Sequence, residues 1–246
     1  MLKSLAVLLI GQYRSWPVVS NYILKFFKNR AEKVDYFFVT WDKDWNGNPV
    51  IKEEILQHFG SVPAIVKILP DLDEDHSFYR AAYMSKQVNL LKRRHEIDNN
   101  FVYDQVVETR HDVYIRRNSA PWNRCLDYEY QISEMNSRDN AEKINPLVIS
   151  DLYIRTNSFT NDILANRYIK SRLYTTKNLS YFDSKIKFTD NHHLLADYLM
   201  ENRLTQIGDK HLDYSFILNV RADPKVNLDL IPIEKLDETI VLCNFV

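Results

Sequence analysis

Four apolar runs separated by helical patterns constrain the fold of this chain more than any other feature of its sequence. They occupy residues 4–10, 34–40, 64–69 and 103–115, and they are rich in the β-branched and aromatic side chains that favour strands. Strands that alternate with helices of this length are joined by right-handed crossovers and lie mainly parallel. The sequence therefore predicts an α/β fold in which helices flank a mainly parallel central sheet.

Apolar residues at helical spacing fill the intervals between the four runs. Ser15 is positioned to cap the first helix, and Pro17 lies in its first turn. The second predicted helix covers residues 50–59 and ends at Gly60, which suits a left-handed helix terminator. A long third helix begins at Ser77. Its apolar stripe consists of Ala81, Met84, Val88 and Leu91.

The pattern is less regular in the second half of the chain. Residues 127–132 are predicted to form an edge strand, and residues 147–154 are predicted to form another strand. A helix is expected over residues 161–174, and Asp190 is positioned to cap a further helix.

Length and composition agree with one domain over residues 1–246, in which residues 1–115 form a nucleotide-binding half of Rossmann type. The formal net charge of -1 provides no global positive field, so nucleic acid is not an expected partner. The two cysteines, Cys125 and Cys243, form no metal-ligand pair and indicate a reducing compartment. The first apolar run is too short to span a bilayer, so we expect a cytoplasmic protein without a transmembrane segment.

Several well-known catalytic signatures are absent from the sequence. No glycine-rich phosphate loop ends in Lys-Ser or Lys-Thr, and neither Gly-x-Gly-x-x-Gly nor Gly-x-Ser-x-Gly occurs. Their absence disfavours P-loop kinases and NTPases, dehydrogenases and serine hydrolases.

Charged residues stand where the fourth apolar run ends. In an open α/β sheet, ligands collect at the carboxyl ends of the strands. Arg110 and Asp112 are therefore central candidates, because a carboxylate at this place can hold a hard metal ion or a charged substrate. His111 is expected to alternate away from Asp112 and to pack elsewhere.

Four short motifs follow one another at the ends of predicted strands. They are Gly11-Gln12-Tyr13-Arg14, Thr40-Trp41-Asp42, Tyr103-Asp104 leading to Arg110-His111-Asp112, and Ser150-Asp151. Their order resembles that of small microbial and viral glycosyltransferases with the GT-A fold, especially the WavE-like lipopolysaccharide-synthesis group. The resemblance covers roughly the first two-thirds of the chain.

The resemblance implies a single-domain GT-A fold, with a nucleotide-sugar-binding half in residues 1–115 and an acceptor-side half in residues 116–246. It implies an enzyme that moves a sugar from a nucleoside diphosphate sugar to a hydroxyl group of a glycan or another acceptor. A UDP-sugar is the favoured donor.

Glycosyltransferases of this fold bind the donor diphosphate through a metal held by an Asp-x-Asp motif, and the metal stabilises charge on the leaving group. In this chain Arg110 stands at the first position of that motif. The resemblance implies that Asp112 binds Mn2+ or Mg2+. A later histidine is expected as a further ligand, with His211 as the selected candidate and His192 and His193 as alternatives.

Two other interpretations of the same motif stay open. In the first, Arg110 pairs with the diphosphate directly and replaces part of the charge of the metal. In the second, Arg110 and Asp112 form a surface ion pair on alternate residues of a strand end.

The resemblance assigns the remaining motifs to the donor and the acceptor. The residues expected to hold the nucleoside and a phosphate are Gly11, Gln12, Tyr13, Arg14 and Asp42. Asp151 is expected to act as the catalytic base toward the acceptor, with Arg110 as the catalytic residue on the donor side. The alternatives are a solvated arginine after a strand-terminating glycine, a turn aspartate at position 42 and a loop carboxylate at position 151.

Two competing functions remain compatible with the sequence. The first is a non-catalytic nucleotide-sugar or glycan-binding module that has lost its metal, which the missing first aspartate of the motif would explain. The second is a sugar nucleotidyltransferase, although this class should carry a basic glycine-rich loop after the first strand, and Gly11-Gln12-Tyr13-Arg14 matches such a loop poorly.

Overall fold

The computed structural model describes residues 2–44, 46–72, 77–115, 153–171, 195, 198–199, 201–202 and 217–219. The strands in these residues are β1 (Leu2–Ile10), β2 (Ala31–Trp41), β3 (Ala64–Leu69), β4 (Gln105–Arg110), β5 (Val113–Ile115), β6 (Tyr153–Thr156) and β7 (Ile217–Asn219). The helices are α1 (Trp16–Phe27), α2 (Lys52–Phe59), α3 (Ser77–Asn99) and α4 (Ser158–Ala165). The predicted α/β class is confirmed.

Local signals in the sequence explain where α1 and α2 begin and end. Pro17 lies in the first turn of α1, where its fixed φ suits the helix. The carbonyl of Ser15 accepts hydrogen bonds from the amides of Val18 at 2.9 Å and Val19 at 3.0 Å, whereas its side chain makes no capping bond. Gly60 follows α2 with a φ of 58° and a ψ of -120°, so the residue that ends the helix is the predicted glycine with positive φ, but its ψ is not that of a left-handed terminator.

Five strands form one sheet in the order β3-β2-β1-β4-β6. The first four strands in that order are parallel, and β6 is antiparallel to β4. The chain builds outward from β1 through β2 to β3, and α3 then returns it to the other side of β1, where Ile10 pairs with Arg110. The strand order therefore reverses between β1 and β4. We call their carboxyl ends the switch point, because open α/β sheets bind ligands in the crevice at this place.

Helices cover both faces of β1, which explains its uninterrupted apolar sequence. On one face lie α1 and α2, which contact each other. On the other face lies α3, which contacts β1 and β2 through a separate core cluster. The cluster under α1 and α2 includes Leu5, Val7, Leu9, Trp16 and Phe59. The cluster under α3 includes Ala6, Leu8, Ile10, Met84 and Val88. Burial of each large apolar side chain contributes about 1.5–3 kcal/mol, so the sheet holds the ends of β1 and β4 firmly together.

Polar side chains are also buried beneath α3, on residues that periodicity alone would assign to solvent. Glu108 of β4 accepts hydrogen bonds from the Ser85 hydroxyl at 2.7 Å and from Nη2 of Arg167 at 2.8 Å. Lys92 is fully buried and donates to the Asp162 carboxylate at 2.9 Å. Burial lowers the pKa of Lys92, while the neighbouring Asp162 carboxylate opposes that shift. The contact between α3 and the region around α4 is therefore a paired polar core.

Two element boundaries differ from the sequence prediction. A single strand over residues 103–115 is wrong, because β4 ends at Arg110 and the chain turns at residues 111–112 before β5 begins. The helix after β6 begins earlier than predicted, because the side chain of Asn157 accepts a hydrogen bond from the Thr160 amide at 2.7 Å and caps α4.

Most of the other predictions for the second half of the chain concern residues that the structure does not describe. The predicted strand at residues 127–132, most of the one at 147–154 and the cap at Asp190 lie outside the described residues. Within the part of the chain that the structure describes, no helix has the length and apolar character needed to cross a bilayer.

Candidate functional site

Three loops meet at the carboxyl edge of the parallel strands. They follow β1, β2 and β4 and comprise residues 11–15, 42–50 and 111–112. The loop after β1 contacts both of the others. The Gln12 side chain donates from Nε2 to the backbone carbonyl of Asp44 at 3.2 Å, and Arg14 bonds to Asp112. The first loop therefore links the second and third loops at the switch point.

Two arginines bind one buried carboxylate at the switch point. Arg110 donates from Nε to Oδ1 of Asp112 at 2.8 Å and from Nη2 to Oδ2 at 2.7 Å. Arg14 also binds Oδ2, with Nε at 2.5 Å and Nη2 in close contact. The Asp112 side chain is 0% exposed, whereas the side chains of Arg14 and Arg110 retain 13% and 23% of their exposure. The ion pair expected at a strand end exists, but its carboxylate is buried and bound by a second arginine.

The charge of Asp112 is stabilised by these contacts. Burial alone would raise the pKa of Asp112, but the guanidinium groups of Arg110 and Arg14 outweigh that effect and hold the pKa below its ordinary value. Asp112 is therefore an ionised carboxylate at neutral pH.

His111 packs directly behind this cluster, away from Asp112 as expected. Its ring is fully buried and stacks on Phe38, with ring centroids 4.6 Å apart and an interplanar angle of 14°. Among the described residues, the polar group that its ring meets is the backbone of Gly11, at a geometry short of a regular hydrogen bond. The backbone of Gly11 packs against this ring, and a Cβ added to Gly11 would lie 3.3 Å from Nε2 of His111.

Gly11 is required by its conformation as well as by this close approach. Its φ is +140°, a region that side chains other than glycine rarely adopt. We expect Gly11→Ala to lower the free energy of unfolding by about 2 kcal/mol from backbone strain, with a further loss from the contact with His111. Denaturant unfolding would measure the change.

Gly47→Ala is the matched control for this substitution. Gly47 has a φ of +84° and no atom within 4 Å of its added Cβ, so its alanine variant carries backbone strain without a steric contact. A loss of stability in Gly11→Ala no larger than in Gly47→Ala would contradict an added cost from the contact with His111.

His111 predicts a dependence of stability on pH. Burial, slightly opposed by the Asp112 carboxylate, lowers the pKa of His111 to about 4. In the unfolded chain its pKa is near the ordinary 6.5. Between these values the unfolded chain binds a proton that the folded protein does not, so the free energy of unfolding falls as pH falls from 6.5 to 4, by at most about 1.4 kcal/mol per pH unit.

The variant His111→Phe keeps a ring on Phe38 but removes the titrating group. We expect chemical denaturation curves of this variant to show a weaker loss of stability between pH 6.5 and pH 4 than the unmodified protein. Burial also lowers the pKa of His58, but this contribution is common to both proteins. Equal pH profiles would contradict a buried neutral His111.

The other predicted donor residues have defined structural contacts. Oδ1 of Asp42 accepts a hydrogen bond from the amide of Asp71 at 3.0 Å, so it joins the loop after β2 to the segment after β3, which is a long-range contact and not the local one of a turn aspartate. Tyr13 is half-buried, and burial together with the Glu54 and Asp44 carboxylates raises the pKa of Tyr13 to about 12. Its phenol is therefore neutral at physiological pH.

Asp44 organises the loop after β2, a role that the sequence analysis missed. Its Oδ1 accepts from the amides of Asn46 and Asn48, each at 2.8 Å. The run of Asp, Asn and Gly residues in this loop is a turn signal that could have identified the contact. Trp41 beside this loop is buried and stacks on Tyr83 with an interplanar angle of 5°, so it belongs to the core.

Several predicted site residues lie outside the described residues. They are the catalytic candidate Asp151 and the metal-ligand candidates His192, His193 and His211. Their roles stay predictions.

The described residues do not fit a divalent cation at Asp112. Both of its oxygens accept hydrogen bonds from guanidinium groups, and like charges 4 Å apart repel by about 4 kcal/mol per unit pair at an effective dielectric constant near 20. Among the residues that the structure describes, no group of three or more His, Cys, Asp or Glu side chains is arranged to hold a metal. A metal at Asp112 stays a prediction from the resemblance alone.

Comparison with known proteins assigns the chain to no family. No protein-family model matches it, and a search of curated proteins finds no matching sequence.

Proposed function

We propose that this protein is a glycosyltransferase with a GT-A fold, which moves a sugar from a nucleoside diphosphate sugar to a hydroxyl acceptor. The observation that carries the proposal is the pair of partly exposed arginines at the switch point. Arg14 follows β1 and Arg110 ends β4, the two strands between which an open sheet binds its ligand. The four-motif resemblance in the sequence supports the same conclusion.

The proposed reaction requires charge stabilisation on the donor side. The bond between the anomeric carbon and the β-phosphate oxygen breaks, and its electron pair stays on the diphosphate. The acceptor oxygen bonds to the anomeric carbon, and its proton passes to a carboxylate, for which Asp151 is the candidate. Fixed cationic donors at the departing diphosphate stabilise the charge that develops there.

The loop after β1 is suited to the nucleoside. Gly11 is buried and packs against His111, which fixes the start of this loop. Gln12 and Asp44 connect this loop to the loop after β2, so a nucleoside bound between the two would meet a fixed surface. UDP is the first nucleotide to test.

A nucleotide panel tests the proposal in the full chain. Thermal unfolding would be followed with UDP, GDP, CDP and ADP, each with and without Mn2+. A nucleotide at 100 times its dissociation constant stabilises the folded state by about 2.7 kcal/mol, so at least one diphosphate should raise Tm by several degrees. If none of them changes Tm under either condition, the proposal fails.

A second candidate is a nucleotide-sugar-binding module without catalytic activity. The occupation of Asp112 by two guanidinium groups favours it, because this carboxylate is not arranged as the metal ligand expected of the enzyme. Hydrolysis of the donor that stabilises the protein best separates the two candidates. Release of sugar supports the enzyme, whereas binding without release supports the module.

A further inference from the structure

Guanidinium groups bind both carboxylate oxygens of Asp112. Its side chain has no exposed surface, and guanidinium nitrogens of Arg14 and Arg110 contact its oxygens. A metal ligand must direct an oxygen lone pair at the ion. Asp112 instead accepts hydrogen bonds from two fixed cations, which is the geometry of an orienting group.

The two arginines differ from Asp112 in their exposure to solvent. Each guanidinium contacts Asp112 through Nε and Nη2, so the carboxylate fixes the plane of both groups. Both side chains retain exposed surface, whereas the carboxylate between them has none. A guanidinium is planar and binds phosphate oxygens in a two-pronged manner, which a point charge does not reproduce.

The positions of Arg14 and Arg110 also suit an anion that contacts both of them. Arg14 and Asp112 are 98 residues apart in the chain, and they meet because β1 and β4 are paired with Ile10 opposite Arg110. The two cations therefore approach from the two strands that flank the switch point. Groups held in this way lose little conformational entropy when a ligand binds.

We infer that Arg14 and Arg110 bind the diphosphate of the ligand without a divalent cation, and that Asp112 positions both guanidinium groups for this contact. The inference rests on the proposed function in naming the diphosphate of a nucleotide sugar. The two arginines take the place that a metal has in the resembling enzymes, and Asp112 is a positioning residue that does not touch the ligand.

Calorimetric titration of the full chain with pyrophosphate and with UDP tests the inference. Each titration is run in EDTA and again with Mn2+. In EDTA the unmodified protein is expected to bind both probes at least as tightly as with Mn2+. Arg14→Gln and Arg110→Gln are each expected to weaken binding by about tenfold to a hundredfold, the effect of losing a hydrogen bond to a charged group.

Three further variants make the titrations specific. Arg14→Lys and Arg110→Lys keep a cation beside Asp112 and so guard against loss of folding, and each is expected to weaken binding less than the glutamine variant at the same position. Arg94→Gln removes the same charge from the surface of α3, where Arg94 is 77% exposed and pairs with Asp98, and is expected to leave binding unchanged.

The outcomes separate this inference from the proposed function. Pyrophosphate binding that requires Mn2+ overturns the inference, as does the absence of pyrophosphate binding under both conditions. UDP binding that depends on Mn2+ would agree with the glycosyltransferase proposal but would contradict a diphosphate site that works without a divalent cation. Cation-independent binding of pyrophosphate without any binding of nucleotides supports the arginine site and contradicts the nucleotide-sugar donor.

Discussion

Replacement of Asp112 by asparagine is expected to abolish donor turnover and to lower the free energy of unfolding by about 3 kcal/mol. Asparagine has nearly the same shape but no charge, so the guanidinium groups of Arg14 and Arg110 lose the carboxylate that they share. Removal of one partner from a buried charge cluster typically costs 3–5 kcal/mol. We place the loss at about the lower end of that range, because both arginines keep some contact with solvent.

Activity and stability respond to this substitution for different reasons. The stability loss follows from the unpaired charges, whereas the activity loss follows from guanidinium planes that are no longer fixed. Urea denaturation measures the first effect, and release of sugar from the donor measures the second. Asp98→Ala is the control, because Asp98 pairs with Arg94 on the exposed surface of α3, where such pairs contribute less than about 1 kcal/mol. Unchanged turnover in Asp112→Asn would remove the central site.

Replacement of Arg167 by methionine is the second substitution with a large expected effect. Arg167 and Glu108 form an ion pair at 2.8 Å, and each side chain is only 1% exposed. Methionine leaves the Glu108 carboxylate buried without its cation, and the Ser85 hydroxyl is too weak a donor to compensate. We expect the free energy of unfolding to fall by about 3–5 kcal/mol.

A double variant distinguishes the cost of a buried charge from the loss of packing. Arg167→Met combined with Glu108→Leu replaces both charged groups with apolar side chains, and such replacements of a whole buried pair are often neutral or stabilising. We therefore expect the double variant to recover most of the stability that the single variant loses. A double variant less stable than Arg167→Met would show that the pair holds the segment after α4 against β4 by its specific geometry.

Local patterns in the sequence predicted several elements of the first half of the chain. The limits of β3 match the predicted residues 64–69, because an apolar run bounded by proline residues defines a strand without help from distant residues. Gly60 ends α2 as expected. These elements depend on interactions between near neighbours in the chain, which is the range over which periodicity and turn signals operate.

Long-range contacts explain what the sequence did not predict. Arg14 meets Asp112 only because β4 pairs with β1, and no periodicity specifies which side of β1 receives β4. The polar core beneath α3 was missed for a related reason. Ser85, Asn89 and Lys92 are all buried, but a helix position with a polar side chain is assigned to solvent until its partners in other elements are known.

The candidate site was partly accessible from the sequence. The position of Arg110 and Asp112 at a strand end indicated an ion pair, and in the structure Nη2 of Arg110 lies 2.7 Å from Oδ2 of Asp112. The sequence analysis favoured Asp112 as a metal ligand, whereas the geometry favours a buried counter-charge. The difference arises because a carboxylate attracts a cation, whereas the two arginines that bind it repel one. Arg14 is distant from Asp112 in the sequence, so the sequence did not reveal its contact with this carboxylate.

A crystal structure of the protein with UDP, grown in EDTA, would show how the diphosphate is held. We expect the diphosphate to lie within hydrogen-bonding distance of both Arg14 and Arg110, while Asp112 keeps its contacts with the two guanidinium groups. A diphosphate bound elsewhere, or one that reaches the protein through a metal ion on Asp112, would contradict this expectation.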